Sequence, residues 1–327
     1  MNSQYPISAT RLMTFDECLI KYYLRYVQRL KLPGVSTHLI SGVMTHKVAE
    51  ELINNQVDPY AYYQQLFLDN FGPEGLEDVL KYSEAYEKAI QDTRNDAERR
   101  GKVLKSPTFT NYWKMTHEAK FSEALNDTSK DYNLKGIKFD LSLIEVYLSG
   151  IKCIGNLQTV LATRRFSKRE LTAEYSFKTT LPVAPSSGIE FPITGKLDVV
   201  AKEGDFVGIY DFKGGRTGFY QDTVPINYQI WFYNYYWYKN YGKLPDEVGI
   251  IDLNFGKNYL FKPTMEEASK FFAVIEREME LLMSTERDLK FRGLEKTLKS
   301  FTLPAGKGSK YCPCEYKDHC PMFQTKG

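Results

Sequence analysis

Near residue 170 the hydrophobic pattern of this 327-residue chain changes period, and that change limits the folds open to it. Before it, apolar residues recur at helical spacing: Leu12, Phe15, Leu19, Tyr22, Tyr26 and Leu30 within residues 8–31, then Val43, Ala49, Leu52 and Ile53 within 40–55. Ser8 is suited to cap the first helix and Pro33-Gly34 to stop it, with Cys18 near its apolar edge. Residues 58–71, 76–100 and 139–162 also read as helical. After the change, Leu171 to Thr180, Ile189 to Ala201 and Phe206 to Phe212 read as short strands. Pro182 to Gly188 makes the first loop between them, and Lys202-Glu203-Gly204-Asp205 the second, a hairpin turn. An aromatic-rich helix over Thr223 to Tyr241 follows, then strands at Val248 to Leu253 and Tyr259 to Lys262, then a long helix over 264–286. Strands, helix, then strand is the order of an α/β fold with a small mixed sheet flanked by helices.

No apolar run is long enough to span a bilayer, and the first residues lack the basic-then-apolar layout of a signal peptide. The expectation is a cytoplasmic protein with no membrane partner. The net charge is only +2, but positive residues cluster. Arg11, Lys21, Arg25, Arg29 and Lys31 lie near the start, Arg164, Arg165, Lys168 and Arg169 in the middle, and a further group over 287–310. Such clusters suit a polyanion, because each phosphate neutralised releases counterions. Five cysteines are present, three of them within nine residues at Cys312, Cys314 and Cys320. Thiolates this dense in a cytosolic chain read as ligands for zinc or an iron–sulfur cluster before they read as disulfides. Cys153, alone in a helical stretch, reads as a buried small residue.

The chemistry concentrates in Gly195-Lys196-Leu197-Asp198 and Asp211-Phe212-Lys213. Strand alternation puts Asp211 and Lys213 on one face, and a hairpin register brings Asp198 beside them. Two carboxylates that close repel unless a divalent cation shares them. A neighbouring lysine can then activate a water or steady the charge developing on a phosphate.

In order along the chain stand Gly42 and His46, Gly195 and Asp198, Asp211 and Lys213, and Gln229 and Tyr233. This series resembles the RecB family of PD-(D/E)xK nucleases, which includes AddB-type nuclease domains and the CRISPR-associated iron–sulfur exonucleases. The resemblance implies a restriction-endonuclease-like core in which His46, Asp198, Asp211 and the carbonyl of Phe212 ligate Mg²⁺ or Mn²⁺. It implies that Lys213 is the catalytic lysine, that Gln229 and Tyr233 face the site, and that Glu174 occupies an acidic position seen in many members. Gly214 departs from the usual Thr or Ser after the lysine. The same resemblance joins Cys18 to Cys312, Cys314 and Cys320 as ligands of a [4Fe–4S] cluster, a clasp between the chain ends, with Zn²⁺ as the alternative occupant. C-x-C-x5-C here is one residue shorter than the family's C-x-x-C-x5-C.

These readings divide the chain into N-terminal core helices (1–54), a mainly helical insertion (55–169), the catalytic core (170–290) and a C-terminal cysteine segment (291–327). The function expected is a DNA exonuclease on single strands or free ends, in repair, recombination or phage and CRISPR-type processing. The chain's dense aromatics fit stacking on an unpaired strand. Absence of a G-x-x-x-x-G-K-[ST] motif leaves unwinding to a helicase or other DNA-processing partner. A structure-specific endonuclease, or a non-cleaving DNA-binding protein on the same fold, is the alternative.

Overall fold

The computed structural model describes residues 6–32, 35–99, 137–138, 143–182, 190–214, 220–300 and 314–320. In chain order its helices are α1 (Ala9–Glu17), α2 (Leu19–Tyr22), α3 (Thr37–Asn55), α4 (Pro59–Arg99), α5 (Leu143–Leu161), α6 (Arg164–Ser167), α7 (Tyr228–Tyr241) and α8 (Met265–Ser300). The strands β1 (Val35–Ser36) and β2 (Ile137–Lys138) form a short parallel pair. Five more strands make the main sheet in simple sequence order: β3 (Glu170–Pro182), β4 (Glu190–Glu203), β5 (Phe206–Lys213), β6 (Glu247–Asp252) and β7 (Lys257–Phe261). Its neighbours are antiparallel except for β5 and β6, which run parallel because α7 intervenes between them.

Two elements differ from the sequence reading. The first helix is not continuous: Cys18 is extended (φ −165°, ψ 116°), and its sulfur accepts the Lys21 N–H at 3.4 Å, capping α2. The thiol supplies the acceptor that an N-terminal turn otherwise lacks, so the chain can break and restart there. The last helix runs past residue 286 to Ser300, bending at Gly293, whose φ of 76° glycine adopts without strain. Leu289, Leu294 and Leu298 keep its apolar stripe against the core. The two helices expected over 58–71 and 76–100 are both present and meet at a kink, where Gly72 is non-helical (φ 78°, ψ 169°) before Pro73.

Helices α3 and α5 cover one face of the sheet, where Ala49, Cys153 and Leu157 meet Val199, Ala201, Tyr210, Phe212 and Ile251. Helices α1, α7 and α8 cover the other face, against Leu197, Val200, Val207, Ile209, Val248 and Ile250. Helix α7 is enclosed between the sheet and its neighbours, so Trp231, Phe232, Tyr233, Tyr235, Tyr236 and Trp237 are all buried. Its aromatic run is core and not a stacking surface for bases, because a helix that is apolar all round must be covered all round.

The side-chain alternation of β3 and β4 slips midway. On β3, Leu171 packs with the α3–α5 layer, yet Tyr175, Phe177 and Leu181 pack on the other side. On β4, Val199 and Ala201 face α3 and α5, whereas Phe191, Ile193 and Leu197 face α7. All these positions are odd, so each strand inverts its faces between residues 171 and 175, and between 197 and 199. The inversion falls at Glu174, which holds a left-handed φ of 53°. The ladder pairs Ala173 with Val199 and Tyr175 with Leu197 but omits the Glu174–Asp198 step between them.

The same level is a fork. Pairing of β4 with β5 runs from Glu203–Phe206 to Val199–Tyr210 and stops there. Strand β5 continues beside β6 to the Lys213–Asp252 pair, whereas β4 leaves with β3 as a two-stranded arm ending at Pro182–Glu190. The edge of β4 freed by this parting is partly occupied by Ile7. Its N–H donates to Pro192 O at 2.7 Å, and its carbonyl accepts from the Thr194 N–H at 2.9 Å.

Candidate active site

The fork gathers seven side chains from five elements: His46 (α3), Glu174 (β3), Asp198 (β4), Asp211 and Lys213 (β5), and Gln229 and Tyr233 (α7). His46 Nδ1 lies 3.9 Å from Glu174 Oε1 and 3.7 Å from Asp198 Oδ1. These three side chains offer ligand atoms within 4.8 Å of one another, the only such group of three found among the described residues. Asp211, expected as a ligand beside His46 and Asp198, lies outside that group, whereas Glu174 lies in it. The face inversion explains the exchange: it turns Glu174 toward α3. Asp211 stays on the α7 side, opposite to Tyr210 and Phe212.

Where β4 and β5 separate, the Phe212 N–H has lost its antiparallel partner and donates to Asp198 Oδ2 at 2.7 Å. The Phe212 ring packs edge-on to His46 at 6.4 Å between centroids. Lys213 Nζ lies 2.7 Å from Asp211 Oδ2 and donates to Gln229 Oε1 at 3.0 Å. Gln229 Nε2 donates in turn to the Tyr233 hydroxyl at 2.6 Å, across one turn of α7. Asp211 is 1 % exposed, and its Oδ1 has no hydrogen-bond partner among the described residues.

Burial and the neighbouring Asp211 push the Asp198 carboxyl up to about 7, against the pull of His46, the Phe212 N–H and Lys213. Burial works to lower the His46 imidazole, but its bond to Glu174 and the charges of Asp198 and Asp211 hold it above its ordinary value. Glu174 is held low, first by His46 and then by Lys196, with burial opposing. Burial also opposes the charge on Lys213, yet Asp211 and then Asp198 keep it raised, so it carries a proton at neutral pH. These are the shifts of a water-poor site in which buried carboxylates crowd one another.

Lys196 is the residue that the sequence reading quoted but left without a role. Its ammonium lies 2.8 Å from Glu174 Oε2, and its side chain is 59 % exposed. Its position two residues before Asp198 was the available signal.

The cysteines divide. Cys153 is buried under the α3–α5 layer, where burial pushes its thiol up to about 11. Cys18, Cys314 and Cys320 pack together around Ile20, Leu24 and Tyr316, and Lys21 reaches Glu315 at 3.5 Å, so residues 314–320 dock onto α2. The three sulfurs do not close to single-ion spacing, and Cys312 lies outside the described residues.

Several residues of the basic clusters already have acidic partners. Arg11 is 2 % exposed, paired with Glu286 and bonded to the Tyr22 hydroxyl at 2.9 Å. Arg165 pairs with Glu247. Arg169 meets Glu203 at 3.4 Å, and its guanidinium lies 3.7 Å over the Phe206 ring.

A mixed sheet that forks at a half-buried histidine–carboxylate group, with a lysine two residues beyond one acid, defines a class of phosphodiester-cleaving folds. The sequence matches the family model of the PD-(D/E)XK nuclease superfamily over residues 6–321, and the chain belongs to that superfamily. A search of curated proteins finds no match. No helix among the described residues is long and apolar enough to cross a membrane.

Proposed function

We propose that this chain is a divalent-cation-dependent DNA nuclease that hydrolyses phosphodiester bonds on single strands or free ends. The observation that carries the reading is the buried carboxylate pair at the fork, Asp198 and Asp211, with one oxygen of Asp211 left without a partner. Two buried acids side by side are costly unless a cation joins them. One imidazole and three carboxylates, from His46, Glu174, Asp198 and Asp211, suit a hard cation such as Mg²⁺ or Mn²⁺. Such an ion, when bound, supplies Lewis acidity toward phosphate and lowers the pKa of a water.

The chain's own groups do the positioning. Lys213, kept protonated by Asp211, opposes the negative charge that builds on the phosphate. Gln229 fixes that ammonium, and Tyr233 fixes Gln229. The Phe212 N–H orients the Asp198 carboxylate.

The proposal includes a [4Fe–4S] clasp held by Cys18, Cys312, Cys314 and Cys320. Its support is the docking of residues 314–320 on α2. Zinc bonds of about 2.3 Å would draw four sulfurs to roughly 4 Å of one another, closer than the three described sulfurs stand. Binding there would stabilise the fold by tying its two ends.

One preparation tests both parts: protein purified anaerobically, scanned in the visible range and assayed with Mn²⁺ on end-labelled linear and circular single strands. Brown colour lost in Cys18→Ser, and cleavage of linear strands lost in Lys213→Ala, are expected. A colourless, zinc-loaded protein would sink the iron–sulfur assignment, and full activity in Lys213→Ala would sink the nuclease site. Cutting of circles would replace the exonuclease reading with an endonuclease.

A further inference from the structure

Among the described residues, none forms a covering layer over the outer face of the β3–β4 arm. Helix α3 lies over β3 as far as Ala173, whose backbone is held at both its N–H and carbonyl by the Asn54 side chain. Beyond the inversion at Glu174, Ser176, Lys178, Thr180 and Lys196 are exposed and Thr194 is half-buried. The reverse face is closed by Phe177, Leu181, Phe191 and Ile193, all in the core, so the arm is backed by packed side chains.

The ladder arranges the open face in rows. Glu174 and Asp198 stand first, at the fork, where the ladder skips a step; then come the paired rows Ser176–Lys196, Lys178–Thr194, Thr180–Pro192 and, at the tip, Pro182–Glu190. Successive rows on one face lie roughly 7 Å apart, two residues of strand, close to the step of one nucleotide in an extended strand. Lys196 stands in the first row beyond the acids, its ammonium at the rim of the site. Lys178 stands in the next, and no ion-pair partner is recorded for it among the described residues.

We propose that this face is the track along which one DNA strand enters the fork, with Lys196 and Lys178 neutralising successive phosphates and the Ser176 and Thr180 hydroxyls between them. The proposal rests on the nuclease reading and adds to it a path. A polyanion must approach a site that is itself acidic and recessed, and cations in file beside the acids make that approach favourable. The cationic stretch Arg164–Arg169 lies away from the acids of the fork. It sits at the far end of β5, where Glu203 and Glu247 answer Arg169 and Arg165.

The test is binding of a dye-labelled single-stranded oligonucleotide in EDTA, where nothing is cut, over a series of KCl concentrations. Each single-strand phosphate contact contributes about 0.7 to the slope of log K against log salt. Lys178→Gln should lower the slope by roughly 0.7 and Lys178→Gln with Lys196→Gln by roughly 1.4. Lys178→Glu should weaken binding further, and an unchanged melting midpoint verifies that each variant is folded. Wild-type slopes in all three variants would overturn the track while leaving a protein that still binds and cuts DNA. A wild type that neither binds nor cuts DNA would overturn the nuclease reading and the track together.

Discussion

At the Phe206 end of β5, Arg169 lies over the Phe206 ring and donates to the Tyr210 hydroxyl at 3.3 Å, while Tyr210 donates to Glu247 at 2.7 Å and Glu247 pairs with Arg165. At the Lys213 end of the same strand, Asp211 keeps a buried oxygen without a partner and Asp198 holds its proton to about pH 7. Both ends carry several ionic groups, and both are built across three or more elements. They differ in balance: both oxygens of Glu247 meet a partner, whereas Asp211 Oδ1 meets none among the described residues. Balanced groups can be buried with net benefit to the hairpin, whereas an unbalanced group lowers stability until something else supplies the missing charge. A sheet can bear that deficit at one end because the other end and the two apolar faces hold it together.

The largest effect expected from this contrast is a pH dependence in the cation-free protein. The Asp198 carboxyl holds its proton to about pH 7 in the fold but releases it near pH 4 when unfolded, so between these values the native state binds more protons. Its contribution to stability is fully present below about pH 4 and lost as pH rises through about 7. Denaturant melts in EDTA should therefore show stability falling across that window, with Mn²⁺ restoring it at pH 8. Asp198→Asn should flatten the fall while abolishing cleavage. A wild type equally stable at pH 5 and pH 8 in EDTA would remove the imbalance on which the comparison stands.

Next in size is Glu247→Ala at the balanced end. The Tyr210 hydroxyl loses its acceptor, at a cost of roughly 1–2 kcal/mol; the Arg165 pair adds little, because that guanidinium is 41 % exposed. Cleavage per folded molecule should be unchanged. A loss of activity larger than the loss of folded protein would show that the two ends are coupled.

The smallest effect is expected from Arg164→Gln with Lys168→Gln, two exposed cations beside the balanced network. Their replacement should leave the salt slope of DNA binding where it was. A slope lowered by as much as in the Lys178 variants would move the DNA path to this end of the strand.

Much of this was legible in the sequence. The change of period near residue 170 placed the five strands of the main sheet, and the Lys-Glu-Gly-Asp turn set the β4–β5 register. That register puts Asp198 level with Asp211. The spacing of Gln229 and Tyr233 put them on one side of a helix, because a helical repeat is a local property. The sequence also carried the superfamily, from His46 through Tyr233, since its residues recur in order along the chain.

What the sequence left undecided depends on contacts between distant segments. Alternation read along β3 puts Glu174 out of phase with its neighbours, and only the slip at that residue turns it toward His46. Which arginines are free was likewise undecided, since Arg11 finds Glu286 and Arg165 finds Glu247 far along the chain. The break at Cys18 also escaped the helical pattern. Periodicity reports which face a residue occupies only while a strand or helix stays regular. The site forms where β4 parts from β5 and two strands invert their faces together, a decision made by packing between the α3–α5 and α7 layers.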